Sequence, residues 1–122
     1  MTSRISHTSF DAIDAYRQSV FWSKVLDFAE DPADPNAPDH DECAIYSADR
    51  SQMLLFITVA DDKKLKNRVH LDLRPVDRSR DEEVERLIGL GASQVGDFRR
   101  PDGGGWVVLA DPEGNEFCIL RP

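Results

Sequence analysis

The feature that most constrains this chain is a pattern that occurs twice. Residues 14–26 contain no Gly or Pro and set Tyr16, Val20, Phe21 and Val25 at helical spacing, with Asp14 as a first-turn or cap residue. Residues 79–90 predict a second helix: Ser79 and Glu82 fit a capping box, Val84, Leu87 and Ile88 form a stripe, and Gly91 sits where a left-handed cap belongs. A strand-like run precedes each helix, Arg4–Phe10 before the first and Arg68–Arg74 before the second. Three further runs follow each, near 27–30, 42–48 and 53–60, then near 93–99, 105–110 and 116–121. The breakers Gly103–Gly105 and Asp111–Asn115 separate the last of these. His7 lies 63 residues before His70, and Phe56 lies 62 before Cys118. The expectation is an α+β chain of two βαβββ modules, 1–60 and 64–122, within one domain spanning 1–122.

Alternation then assigns the faces. Val69, Leu71 and Leu73 alternate with His70, Asp72 and Arg74, so one sheet face is apolar and the second helix should cover it. In the last strand Phe117 and Ile119 should face that helix, leaving Glu116, Cys118 and Leu120 on the side of His70. The same logic puts Leu55, Ile57 and Val59 under the first helix and turns Leu54, Phe56 and Thr58 away from it. Two half-sheets with such mixed inner faces would make a cup-shaped mixed sheet, and a cup of this kind is a small-molecule site.

Composition excludes several alternatives. With 15 Lys+Arg against 23 Asp+Glu the net charge is −8, and no stretch concentrates cations, so nucleic-acid binding lacks its electrostatic driving force. The longest apolar run, Met53–Ala60, falls far short of the roughly 20 residues that span a bilayer. The N-terminus has no apolar signal region, so a soluble cytoplasmic protein without membrane partners is expected. Cys43 and Cys118 read as reduced thiols. Residues 30–42 hold six acids and three prolines, which suits a solvated loop or a lid over the cup mouth. They lack the spacing and central Gly of a calcium loop. Gly103–Gly105 is no phosphate cradle, because neither Lys-Ser/Thr nor a helix follows it.

The paired modules, Phe21-Trp22 in the first helix and the closing phrase from Val107 through Asp111-Pro-Glu-Gly-Asn115 to Cys118 resemble the vicinal oxygen chelate superfamily. That superfamily includes glyoxalase I, bleomycin-resistance proteins and extradiol dioxygenases, and Gly-Asn-Glu-Phe-Cys resembles its glyoxalase-like branch. The resemblance implies the glyoxalase/bleomycin resistance/dioxygenase fold and a homodimer, but it does not fix the reaction.

In metal-dependent members four ligands come from the first and last strands of both modules, which map here onto His7, Phe56, His70 and Cys118. Phe56 cannot ligate. His7, His70 and Cys118 would suit zinc with an open position for water, whereas an oxygen-preferring ion would miss the family's carboxylates. Enolisation of the glyoxalase I type would lack its carboxylate base. The favoured expectation is therefore a metal-free, mostly apolar cup that binds or transforms a small organic ligand through His7, Phe56, His70, Asp72, Arg74, Trp106 and Cys118. Asp72 and Arg74 either orient a polar ligand or, as the preferred reading, pair with each other; Trp106 and Trp22 read first as core. A zinc-type lyase, isomerase or dioxygenase using His7, His70 and Cys118 is the alternative. A non-catalytic interaction module with a filled cup is the third reading.

Overall fold

Asp14 starts the first helix as its sequence position predicts: its carboxylate accepts a hydrogen bond from the Arg17 backbone N–H at 3.0 Å. The computed structural model describes residues 1–122. They divide into two units, Met1–Asp62 and Lys63–Pro122, and the architecture is α+β.

The first unit runs β1 (Thr8–Ala12), α1 (Ala15–Leu26), β2 (Glu42–Tyr46) and β3 (Met53–Thr58). Its sheet has the order β1-β3-β2, with β1 parallel and β2 antiparallel to the central β3. The register sets Phe10 beside Phe56, their rings 5.3 Å apart, and Phe10 in turn lies 5.9 Å from Trp22 of α1. Leu54 and Phe56 therefore fill the core beneath the helix, and Leu55, Ile57 and Val59 are only half-buried. This reverses the faces expected from alternation. Met53–Val59 is apolar at nearly every position, so a period of two cannot be read from it.

The expected strand near 27–30 is reduced to one bridge, with Ala29 and Tyr46 exchanging backbone hydrogen bonds of 2.9 and 2.8 Å. Asp27 turns the chain through a left-handed φ of 55°, and Pro32 and Pro35 offer no N–H to a ladder. Asn36 takes the next place on the β2 edge with its side chain: its Nδ2 donates to the Ala44 carbonyl at 2.8 Å and its Oδ1 accepts from the Ala44 N–H at 3.2 Å.

The second unit runs β4 (Asp72–Leu73), α2 (Arg80–Leu90), β5 (Ser93–Asp97), β6 (Val107–Ala110) and β7 (Glu116–Ile119). The order is β4-β7-β6-β5, with only the β4–β7 pair parallel. Ser79 Oγ accepts from the Glu82 N–H at 3.2 Å, and Gly91, at φ 120°, closes the helix as expected. Val84 and Leu87 are buried, but Ile88 of the expected stripe is exposed. The strand expected over 68–74 shortens to two residues, and Val69 is 81% exposed rather than packed beneath α2. Asn67 supplies the reason: its Oδ1 accepts from the Glu116 N–H at 2.8 Å and its Nδ2 donates to the Glu116 carbonyl at 3.1 Å, so a side chain occupies the place of a longer β4.

The Asp-Pro-Glu-Gly-Asn phrase is a loop closed by Asp111, whose carboxylate accepts from the backbone N–H groups of Glu113 and Asn115 and from the Asn115 side chain at 2.9–3.0 Å. No helix is long and apolar enough to cross a membrane.

Candidate functional site

The parallel register of β4 on β7 sets Asp72 beside Cys118 and Leu73 beside Ile119. Because side chains alternate, Ile119 and Phe117 enter the core and Cys118 points to the other face with Asp72. His70, two residues before Asp72, joins them: its Nδ1 stands 3.1 Å from Asp72 Oδ1. The potential donor atoms of His70, Asp72 and Cys118 all lie within 4.8 Å of one another. Burial pushes the Cys118 thiol up to about 11, and its hydrogen bond to Asp72 and that carboxylate's charge push the same way. The thiol therefore keeps its proton at neutral pH. Asp72 accepts from both neighbours, which puts the imidazole proton on Nδ1 and leaves Nε2 without a partner in the chain.

The other expected site residues make contacts of their own. His7 is exposed ahead of β1 and contacts Ser6 Oγ at 3.0 Å. Phe56 is core beneath α1, so the structure removes it from the expected ligand set. Arg74 does not pair with Asp72; its guanidinium donates to the Arg121 carbonyl at 2.8 Å. Trp106 is not core either: it is 39% exposed and stacks on Phe98 with ring centres 5.3 Å apart. Gly105 permits that stack, since a Cβ there would stand 2.0 Å from the Phe98 carbonyl oxygen.

Residues 7–120 match the family profile described as a glyoxalase-like domain. The chain belongs to this glyoxalase-like family. With it comes membership of the vicinal oxygen chelate superfamily, and solved structures show the same fold. The fosfomycin resistance protein FosX from Mesorhizobium loti is 20% identical over 100% of this chain and 94% of its own, with a TM-score of 0.72. A FosX mutant from Listeria monocytogenes, complexed with Mn(II) and 1S,2S-dihydroxypropylphosphonic acid, is 18% identical over 98% and 90%, at 0.71. A glyoxalase/bleomycin resistance protein/dioxygenase family enzyme from Burkholderia phytofirmans PsJN is 20% identical over 97% and 98%, at 0.68. No curated protein sequence matches this glyoxalase-like chain.

The carboxylate of the cluster was legible only in part. Its position two residues after His70 on one strand face is in the sequence, but the anticipated pairing with Arg74 drew it away from the histidine. As a donor set, imidazole, carboxylate and thiol fit a zinc-type ion; an oxygen-preferring ion would find one carboxylate.

Proposed function

We propose that this glyoxalase-like protein binds a small organic molecule on the open face of the second unit, anchored by His70, Asp72 and Cys118 and working without a resident metal. The observation that carries this reading is the shared acceptor: Asp72 satisfies both His70 Nδ1 and the Cys118 thiol, so the cluster is internally complete while His70 Nε2 remains available. That nitrogen is placed to accept a hydrogen bond from a ligand O–H or N–H. On a ligand with an acidic proton there, His70 would remove it while Asp72 holds the ring and stabilises the imidazolium. Arg74 and Trp106, of the same unit, are proposed as further ligand contacts. The proposed assembly is a cytoplasmic homodimer, checked by sedimentation at tens of micromolar (about the range where dimers of standard interface size persist).

A second reading is favoured by the convergence of three donors within 4.8 Å. His70, Asp72 and Cys118 would hold zinc. The ion would supply Lewis-acid chemistry for a lyase, isomerase or dioxygenase. Cys118 would then have to surrender its proton, and Asp72 its bond to His70.

Elemental analysis of protein purified without chelator, paired with thermal melting against a metabolite and antibiotic panel, separates the readings. The metal-free reading expects far less than one metal per chain and a ligand-induced rise in Tm that His70→Ala and Asp72→Asn abolish. Near-stoichiometric zinc that disappears in His70→Ala overturns it in favour of the second. A panel without any shift, together with absent metal, favours the filled interaction module.

A further inference from the structure

A cavity of about 360 Å³ opens in the first unit between α1 and residues 28–36, within the usual size range of small-ligand sites. It lies on the helix side of that unit's sheet. Residues 16, 19, 20 and 23 of α1 form one wall at helical spacing, and Phe28, Glu30 and Asn36 stand opposite. The second wall is the part of the acidic, proline-rich segment whose role composition leaves open, and it is pinned in place. Asn36 is clamped to Ala44 through both atoms of its amide, Ala29 is bridged to Tyr46, and the Glu30 carboxylate accepts from the Asn36 N–H at 2.8 Å.

The chemistry of the lining is one-sided. Ser19 Oγ donates to the Tyr16 carbonyl at 2.7 Å and Ser23 Oγ donates to the Val20 carbonyl at 2.8 Å, so both hydroxyl protons are used within the helix. What these serines offer the cavity is lone pairs, one of those on Ser19 being already shared with the Cys43 thiol. Asn36 has spent its amide on β2, and Glu30 brings a carboxylate that accepts only. No Lys or Arg lines the cavity, while the rings of Tyr16 and Phe28 give it apolar and π-bearing surface. An occupant must therefore donate hydrogen bonds, and it gains by carrying positive charge beside an apolar body.

We propose that this cavity is a binding site for a small organic amine, its ammonium seated against Glu30 and the Ser19 and Ser23 oxygens and its apolar body against Tyr16 and Phe28. The site would reject anions of the same shape.

The test is an amide NMR titration of the full chain with phenethylamine and, in parallel, with hydrocinnamate, which has a similar body and the opposite charge. Saturable shifts confined to α1 and residues 28–36 with the amine, and none with the acid, are expected. Glu30→Gln should weaken the amine at least about 10-fold, as loss of a charge-assisted bond requires. Val20→Trp, which fills the space, should abolish binding. Equal response to both probes, no response to the amine, shifts centred outside this cavity, or unchanged affinity in a folded Glu30→Gln would overturn the proposal. Should either variant lose the wild-type spectrum, the comparison of the two probes on the wild-type chain decides alone.

Discussion

Phe56 has no exposed surface and contacts Phe10, which passes the packing on to Trp22 of α1. Truncating it removes a buried ring from the centre of the first unit, and Phe56→Ala should cost about 3–5 kcal/mol in urea unfolding. A cup-lining side chain on an open face would cost far less, so the measurement separates the two placements of this residue. The sequence comparison of Phe56 with Cys118 matched equivalent strands but was one residue out in face. The parallel registers show it: Phe10 lies opposite Phe56 on the core side, whereas Asp72 lies opposite Cys118 on the other. Polar residues reveal their face because burial without a partner costs free energy, which is why His70 and Asp72 were legible. A run apolar on both faces carries no such mark.

At the scale of elements, the helices were readable to within a residue because their signals are local: Asp14 and Ser79 cap from their own side chains, and Gly91 ends α2. The strands were less so, since partner and length depend on residues far along the chain. Arg99 shows how such distant elements are tied. Its guanidinium donates to Asp97, at the end of β5, at 2.6 and 2.9 Å, and to Asp81, in the first turn of α2, at 2.8 Å. The side-chain bonds from Arg99, followed by its backbone N–H, hold the Asp97 carboxyl down to about 2. A carboxyl whose folded pKa lies below its ordinary 3.8 contributes stability that is fully present above that value. The contribution drains away as pH falls from there towards 2. In Arg99→Gln the Asp97 carboxyl should titrate closer to the ordinary range, read by carboxyl carbon NMR, and acid unfolding should lose part of its steepness below pH 4, near the ordinary carboxylate range. The backbone bond and the nearby Arg80 charge would then be what keeps Asp97 below normal.

For the whole molecule, the net charge of −8 gives a phosphate backbone no electrostatic attraction. Its two sheets also share a device that neither composition nor periodicity announces. Asn36 lies along the outer edge of β2, and Asn67 fills the place on β7 that β4 leaves empty. Each asparagine presents one donor and one acceptor to a backbone pair, as another strand would. Asn36→Ala would leave the Ala44 N–H and carbonyl bare, costing about 1–3 kcal/mol where water reaches them poorly. Light scattering at rising concentration should then show association that the wild-type chain resists. A sheet edge is a template, and any extended segment with matching spacing can copy onto it. An amide on a short tether satisfies the template without extending it, for a side chain has no further edge to offer the next arrival. Growth by strand addition is thus terminated at its first step at these two places, by residues that a reading of the core would pass over.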